Sequence, residues 1–285
     1  MSSKESGLLQ SFINYFKITR LKEIFLMTGF SMIGVFFTPD FEFDLLLIFA
    51  LFFQVVLFVI AVYCLNSYAD YEEDKESLRL KDVSQISKHT YFILMVFFVV
   101  LFLSVGVLLN INIALFSFTA FLFWCTYYLP PLRLKSTFLL GTLIHFVCGI
   151  IHFHVGYSLF NTISLHSLIY SIYFALLLSL GHFNHELIDY EDDLKNSTIT
   201  TAVRIGQSNT LKIRRLLLIV AILYLSLAFY TKYIDEWIFF SFFIASISSL
   251  IIDIMSTYMS PKIFQKITRN LFLLAGTITI FSRMV

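Results

Sequence analysis

Residues 51–74 read LFFQVVLFVIAVYCLNSYADYEED, an apolar run that ends in a cluster of carboxylates. A membrane-spanning helix needs about 20 apolar residues, because the hydrocarbon core is about 30 Å thick and each helical residue rises about 1.5 Å. The apolar run meets this requirement together with the residues before it. The stretch therefore predicts a transmembrane helix that delivers acidic side chains to one border of the membrane.

The rest of the chain repeats the apolar pattern. Its 285 residues are 58% hydrophobic and 14% charged, whereas soluble domains are roughly 45–50% apolar and about 25% charged. We predict an all-α, polytopic membrane protein with nine transmembrane helices, forming a single domain over 1–285. The predicted spans are 21–39, 44–66, 90–109, 112–129, 137–156, 166–185, 213–231, 236–257 and 268–284.

The basic residues indicate the orientation. If the N-terminus is cytoplasmic, 18 of the 20 Lys and Arg residues fall on the cytoplasmic side, and only Lys232 and Arg283 fall outside. This asymmetry follows the positive-inside rule. We expect an integral protein of the cell (inner) membrane, with its N-terminus cytoplasmic and its C-terminus outside. Topology accounts for the basic residues, so the net charge of +1 gives no indication of nucleic-acid binding.

An acidic motif follows the second span. Asn66, Asp70 and Asp74 are spaced by four residues, which places them on one face of a helix. Glu72 and Glu73 are expected to point elsewhere.

A second acidic motif follows the sixth span. Asp189 and Asp193 repeat the four-residue spacing, 119 residues after Asp70. Both spans are even-numbered, so both motifs emerge on the cytoplasmic side. Each is predicted to open a long inner loop, over 67–89 and 186–212, and long loops in compact bundles are usually functional.

Two facing sets of carboxylates predict a cation between them. Hard oxygen ligands suit Mg²⁺, which keeps waters and shares its coordination with substrate phosphates. Lys75, Arg79 and Lys81 follow the first motif, and Lys195 and Arg204 follow the second. The pattern predicts a diphosphate clamp of metal ions and basic side chains. The alternative is a solvated patch of inner-loop charge, which the matched spacing on one side disfavours.

Several stretches resemble the UbiA superfamily of intramembrane prenyltransferases. NSYADYEED fits N-x-x-x-D-x-x-x-D, and DYEDD fits its D-x-x-x-D partner. YYLPPLRLK at 127–135 is similar to the family's Y-x-x-P-P-x-R-x-K segment, and ELIDYEDD with TTAVRIG resembles a run of quinone and tocopherol-type members. Arg20 stands where many members have an arginine. KESLRLKDV at 75–83 departs from the family's N-x-P-x-R-P-L element.

The resemblance implies a bundle around a central cavity that opens to the cytoplasmic side. It implies transfer of a polyprenyl group from its diphosphate to an aromatic, quinone-precursor-like acceptor, with two or more Mg²⁺ ions. The implied metal ligands are Asn66, Asp70, Asp74, Asp189 and Asp193, of which the four aspartates are the catalytic residues. The predicted diphosphate contacts are Asn66, Arg20, Lys75, Lys81, Arg133, Lys135 and Lys195.

Four residues are candidates for contacting the acceptor: Tyr127, His182, His185 and Glu186. The two histidines precede Asp189 by seven and four residues, which puts them on or near its helical face. A histidine there could contact the acceptor or act as a base. The competing interpretation, an interface histidine satisfied by neighbouring carboxylates, carries equal weight.

Two further ionisable residues lie inside predicted spans. His145 is expected to be a satisfied core residue. Asp253 is a candidate cavity residue, because ionisable side chains within spans are often functional.

The sequence leaves other functions open. A terpene cyclase or a lipid prenyltransferase would use the same clamp with a different nucleophile. A cation-binding transporter would use the acidic motifs as an ion site, although the charges gather at the cytoplasmic border rather than the midplane. A non-catalytic membrane scaffold would keep the fold without the chemistry.

Overall fold

The computed structural model describes residues 21–38, 41, 43–76, 86–195, 198–255 and 259–284, of which the side chains of 21–26, 74–76, 283 and 284 are not described. All regular structure in these residues is helical, as predicted. The helices are Leu21–Phe36 (α1), Leu45–Ala69 (α2), Tyr71–Glu76 (α3), Lys88–Leu109 (α4), Ile111–Tyr128 (α5), Leu140–Tyr157 (α6), Leu165–Lys195 (α7), Thr201–Ile205 (α8), Gln207–Tyr230 (α9), Glu236–Met255 (α10) and Pro261–Met284 (α11), with a 3₁₀ turn at Leu134–Ser136.

Seven helices of the described chain are long and apolar enough to cross a membrane: α2, α4, α5, α6, α7, α9 and α10. The first helix, α1, has 16 residues and is apolar over Met27–Phe36. The last helix, α11, has 24 residues but carries Lys262, Lys266 and Arg269 in its first half. Seven spans are therefore supported, and the total of nine stays a prediction.

The helices pack mainly in chain order. Contacts join α2 to α4, α4 to α5, α5 to α6, α6 to α7, α7 to α9, α9 to α10 and α10 to α11. Helix α1 packs against α2 and α6, and α11 also touches α7 and α1. An aromatic core stabilises the end of the bundle opposite the acidic motifs, where Phe37 meets Phe153, Tyr170 and Phe174 edge to face at centroid separations of 4.8–5.9 Å.

Glycines allow α1 and α6 to touch at their backbones. A Cβ atom at Gly156 would overlap the Ser31 carbonyl oxygen, and one at Gly34 would overlap the Phe153 carbonyl oxygen. Small residues at helix contacts permit this close approach in membrane bundles. The two glycines therefore determine how tightly α1 seats on the bundle.

Helix α7 extends beyond the predicted span. Its 31 residues reach roughly 46 Å at about 1.5 Å each, well over the hydrocarbon thickness of about 30 Å. The predicted loop over 186–212 is therefore wrong in its first part, because α7 continues to Lys195 and α8 and α9 follow soon after. The segment 186–195 contains no Gly or Pro to end the helix, and Leu187 packs into the interior.

Helix α2 stops within the first acidic motif. It ends at Ala69, and Asp70 caps it with φ −97° and ψ 13°, while its amide still donates to the Asn66 carbonyl at 2.9 Å. Helix α3 begins at Tyr71 and contains Asp74. The single helical face predicted for this motif is thus interrupted at Asp70, where the backbone departs from helical ψ.

Candidate active site

Asp70 of the first acidic motif forms ion pairs with the segment that follows α5. Lys135 Nζ contacts Asp70 Oδ1, and Arg133 Nη2 donates to the same oxygen at 3.2 Å. The Asp70 and Lys135 side chains are only 13% and 15% exposed. Two of the predicted diphosphate contacts therefore lie directly against a predicted metal ligand.

Glu73 joins this cluster, against expectation. Its Oε1 accepts a short hydrogen bond from Arg133 Nη2, and its Oε2 lies 3.9 Å from Lys135 Nζ. The prediction that Glu73 points elsewhere is wrong, because the interruption of the helix at Asp70 reorients α3. Sequence spacing alone gives no signal of this contact.

Arg133 adopts an unusual conformation. Its φ of 38° lies in the left-handed region, which is uncommon for a residue with a side chain. Its buried Nε has no hydrogen-bond acceptor among the described residues. Backbone strain of this kind clusters at functional sites, and the unpaired donor leaves the guanidinium with capacity for an anion.

The second acidic motif lies on the extension of α7, outside the membrane-spanning part. Asp193 Oδ2 accepts from Thr200 Oγ1 at 3.2 Å. Burial raises the pKa of the Asp193 carboxyl to about 6, and the Asp189 carboxylate adds to the rise, while Thr200 and the Lys135 ammonium oppose it. Asp189 is half-buried. The two predicted ligands of this motif are therefore close enough to repel each other.

The two motifs converge on the segment between α5 and α6. Lys135 contacts Asp70 and acts electrostatically on Asp193. The Tyr127 hydroxyl interacts electrostatically with Asp70, Asp193 and Glu186. The structure thus brings the two halves of the predicted site together, with Lys135 and Tyr127 between them.

The same segment is also tied to the residues after α7. The Leu139 amide donates to Thr201 Oγ1 at 3.2 Å, and the Arg204 guanidinium lies 5.2 Å from the centroid of the Phe138 ring. These contacts were not predicted from the sequence, although TTAVRIG was one of the stretches that carried the resemblance. They hold the two inner segments at a defined separation.

Glu186 caps helix α8. Its buried carboxylate accepts from the Ala202 amide at 3.0 Å and from the Thr201 amide at 3.4 Å. A carboxylate at a helix N-terminus satisfies amides that have no partner within the helix. Glu186 therefore positions the segment that carries Thr200, whatever contact it makes with an acceptor.

The predicted acceptor histidines have different surroundings. His182 is buried, with its ring nitrogens 3.1 Å from Thr142 Oγ1 and 3.3 Å from the Tyr127 hydroxyl. His185 is exposed and lies 2.9 Å from Gln265 Nε2. Tyr127 and His182 therefore share one polar cluster with Glu186, whose Oε1 is 3.8 Å from His182 Nε2, while His185 contacts α11.

The other predicted contacts lie further out or outside the described residues. Lys195 is exposed and 3.9 Å from the exposed Asp192 carboxylate. Asn66 is half-buried one turn before Asp70. Arg20 and Lys81, and the side chains of Asp74 and Lys75, lie outside the part of the chain that the structure describes.

Asp253 belongs to a separate buried network. It pairs with Arg214 and accepts from Arg215 Nε at 2.7 Å. Arg214 Nη1 donates to Asn184 Oδ1 at 2.7 Å, and Asn184 Nδ2 donates to the Pro261 carbonyl at 3.2 Å. The network links α7, α9, α10 and α11 near the second motif, so Asp253 is engaged in ion pairs.

The donor atoms at the converging motifs suit a hard cation. Over the described residues, no three His, Cys, Asp or Glu side chains are close enough to hold a metal ion by themselves. Mg²⁺ is commonly bound by one or two carboxylates, with waters and substrate phosphates as the other ligands. The mutual repulsion of Asp189 and Asp193, and their all-oxygen chemistry, fit this kind of site.

Comparisons with known proteins show which solved structures share this fold. The chain resembles a UbiA homologue from Archaeoglobus fulgidus bound to DMAPP and Mg²⁺, with 17% identity, a TM-score of 0.76 and 94% of this chain and 99% of that chain covered. It resembles a digeranylgeranylglyceryl phosphate synthase with 17% identity, a TM-score of 0.73 and coverage of 96% and 99%. A homologue from Aeropyrum pernix K1 gives 17% identity, a TM-score of 0.68 and coverage of 92% and 97%.

These likenesses establish the fold of an integral membrane protein. Comparison with curated proteins gives no match. The sequence model of the UbiA prenyltransferase family matches residues 27–263, which is most of the chain. The chain belongs to the UbiA prenyltransferase family.

Proposed function

We propose that this family member transfers a polyprenyl group from its diphosphate to an aromatic, quinone-precursor-like acceptor, in a Mg²⁺-dependent reaction within the membrane. The observation that carries the proposal is the convergence of both aspartate motifs on Lys135. A site that places carboxylates beside cations, at the border of an apolar bundle, suits a substrate with a charged diphosphate and an apolar tail.

The proposed metal ligands are Asn66, Asp70, Asp74, Asp189 and Asp193. Mg²⁺ held by these oxygens would neutralise the diphosphate and stabilise it as a leaving group. The A. fulgidus homologue was solved with DMAPP and Mg²⁺, and also with GPP and Mg²⁺, which supports this donor class. The four aspartates are the proposed catalytic residues.

Basic side chains complete the proposed diphosphate site. Arg133 and Lys135 now pair with carboxylates, and we propose that they turn to the diphosphate oxygens when the donor binds. The Nε of Arg133 is buried and has no hydrogen-bond partner among the described residues, so a turn of the guanidinium toward the diphosphate would also give this donor an acceptor. The further proposed contacts are Arg20, Lys75, Lys81, Lys195 and the amide of Asn66.

The proposed acceptor side begins at Tyr127. Its ring is surrounded by Trp124, Tyr128 and His145 at centroid separations of 4.8–5.5 Å. Electron-rich aromatic faces stabilise a cation such as the allylic group that forms when the diphosphate leaves. Tyr127, His182, His185 and Glu186 are the proposed acceptor contacts, around a central cavity that opens to the cytoplasm.

The proposed topology places both motifs in the cytoplasm. The chain would form one domain of nine spans in the cell (inner) membrane, with the N-terminus cytoplasmic and the C-terminus outside. The distribution of basic residues supports this orientation.

The test uses purified protein in lipid nanodiscs with labelled geranyl diphosphate, Mg²⁺ and a panel of phenols and naphthols. We expect a prenylated product in the wild type, and a loss of roughly 100-fold or more in Asp70→Asn and Asp189→Asn, because each removes a charge that stabilises the leaving group. Glu191→Gln is the matched control, since it removes one carboxylate from an exposed position on the same helix.

Other outcomes would contradict the proposal. Release of diphosphate with a hydrocarbon product would indicate a cyclase. A folded wild-type protein that neither binds nor turns over geranyl diphosphate would exclude the enzyme. Equal losses in Glu191→Gln and Asp189→Asn would show that activity depends on the total charge of α7 rather than on a defined site.

A further inference from the structure

Two imidazole rings lie against each other where α6 packs on α7. The His145 and His182 rings, from α6 and α7, have centroids 3.9 Å apart and an interplanar angle of 37°. Two positive charges at this separation repel strongly, so the pair accommodates a single added proton. The arrangement therefore raises the question of which ring is free to receive one.

His182 has both nitrogens engaged. One lies 3.1 Å from Thr142 Oγ1, and the other lies 3.3 Å from the Tyr127 hydroxyl and 3.8 Å from Glu186 Oε1. The ring is also buried, at 6% exposure. His182 is thus held in place by its partners, and neither of its nitrogens is free to take up the proton that a substrate loses.

His145 is different, because its tautomer is fixed. Its Nδ1 lies 2.8 Å from the Gly141 carbonyl oxygen. A carbonyl only accepts hydrogen bonds, so Nδ1 carries the proton and Nε2 keeps a lone pair. Among the described residues, Nε2 of His145 has no hydrogen-bond partner. The side chain is partly accessible, whereas His152 and His154 on the same helix are buried.

His145 packs against Tyr127, which lies near both aspartate motifs. Its ring lies edge-on to Tyr127 at 5.1 Å and to Trp124 at 5.0 Å, measured between centroids. Tyr127 in turn interacts electrostatically with Asp70 and Asp193. His145 is therefore one aromatic ring removed from the place where the donor's diphosphate is proposed to bind.

We propose that Nε2 of His145 accepts the proton that a hydroxyl-bearing aromatic acceptor loses on prenylation. The inference rests on the proposed function and deepens it. The allylic C–O bond breaks and its electron pair leaves with the diphosphate, and a ring carbon of the acceptor uses a π pair to bond the allylic carbon. The proton on that carbon passes to Nε2, and the C–H electrons restore the aromatic ring. The imidazolium later returns its proton to water.

The matched variants are His145→Asn and His154→Asn. An asparagine amide can keep the hydrogen bond that Nδ1 makes to the carbonyl four residues earlier, and it removes Nε2. His154 makes the same bond, to the Ile150 carbonyl at 2.8 Å, but its Nε2 is paired with Ser167 far from the motifs. The two variants therefore remove different nitrogens: His145→Asn removes an Nε2 without a hydrogen-bond partner among the described residues, and His154→Asn removes one that is paired with Ser167.

The activity assay uses geranyl diphosphate, Mg²⁺ and 1-naphthol or hydroquinone. His145→Asn is expected to lower kcat for the prenylated product by about 100-fold or more, while diphosphate is still released by hydrolysis and the KM for the donor is unchanged. His154→Asn is expected to keep the wild-type product rate. A wild-type product rate in His145→Asn would overturn the proposal, and so would a parallel loss of donor binding and diphosphate release, which indicates a structural role.

A second readout does not depend on turnover. Diethyl pyrocarbonate acylates accessible imidazole nitrogens that carry a lone pair, and peptide mass spectrometry identifies the modified residue. We expect modification of His145 and of the exposed His89, and none of His152 or His154 in the folded protein. Modification of His89 without His145 would overturn the proposal. If the wild type makes no prenylated product while His145 is modified, the proposed function is wrong. The modification would still show that Nε2 of His145 is accessible and carries a lone pair.

Discussion

The Lys135 ammonium group contacts the Asp70 carboxylate across 65 residues of sequence. Asp70 also accepts from Arg133, so two cations serve one proposed metal ligand. Because both cations belong to the segment between α5 and α6, Asp70 is already paired before any ligand arrives. Binding of a metal and a diphosphate would then be an exchange of partners, in which the carboxylate takes the metal and the basic side chains take the phosphate.

Replacing Lys135 by glutamine tests this exchange. Loss of a charge-assisted hydrogen bond costs about 1.5–3 kcal/mol, so we expect the Kd for geranyl diphosphate with Mg²⁺ to rise by roughly 10- to 100-fold. Titration calorimetry in nanodiscs measures this. Lys212→Gln is the control, because Lys212 is exposed and bonds only weakly to Asn209, at 3.4 Å. Equal affinities in wild type and Lys135→Gln would contradict the role of Lys135.

Removing divalent cations tests whether the metal serves the reaction or the fold. We expect excess EDTA to abolish prenyl transfer and Mg²⁺ to restore it. The thermal unfolding midpoint should change little, because Arg133 and Lys135 already neutralise Asp70. Turnover that persists in EDTA would exclude metal dependence. Unfolding in EDTA would show instead that the motifs need a cation to remain together.

The buried network at Asp253 predicts a large effect on stability. Arg214 and Asp253 are each 4% exposed, and removing one partner of a buried ion pair costs about 3–5 kcal/mol. Arg214→Met is therefore expected to lower the free energy of unfolding by about 3 kcal/mol. Arg215→Met should cost less, because Arg215 is one-third exposed and leaves the Arg214 pair intact.

Thermal and denaturant unfolding in detergent compare these two variants. A loss in Arg214→Met no larger than that in Arg215→Met would indicate that water reaches the network and screens it.

The backbone contact between α1 and α6 predicts that two glycine-to-alanine variants will have opposite effects on stability. Gly156→Ala would place a methyl group onto the Ser31 carbonyl oxygen, so we expect strong destabilisation or failure to fold. Gly29→Ala, on α1, has nothing within 4 Å of the new Cβ atom. It should be neutral or stabilising by about 0.5–1 kcal/mol, because alanine is the better helix former. Similar yields and unfolding midpoints for the two variants would contradict the backbone contact.

Much of this site could be predicted from the chain alone. The four-residue spacing of Asp70 with Asp74 and of Asp189 with Asp193 depends only on helix geometry. Their expected location on one side of the membrane depends only on counting apolar runs, and the structure supports seven of the nine predicted spans. The pairing of the motifs was therefore accessible without a structure.

The contacts between the inner segments were not accessible in the same way. Glu73 meets Arg133 because the chain leaves the helix at Asp70 and because Arg133 takes a left-handed conformation. Residue propensities in the sequence predict neither the end of the helix at Asp70 nor the left-handed conformation of Arg133. The sequence also could not separate the roles of His145 and His182. Which nitrogen is free depends on the Gly141 carbonyl one turn before His145, and on the Tyr127 and Thr142 hydroxyls that reach His182 from other helices.

The unbroken course of α7 has a consequence for the membrane around it. One rigid helix connects Leu165, at the far end of the bundle, to Asp193. A bilayer that is thinner or thicker than the apolar part of α7 is accommodated by tilting or shifting the helix, at a cost of fractions of a kcal/mol per Å. Because Asp193 is carried by this helix while Asp70 ends a different span, the contacts of Leu139 with Thr201 and of Arg204 with Phe138 are what keep the two motifs in register when the helix tilts.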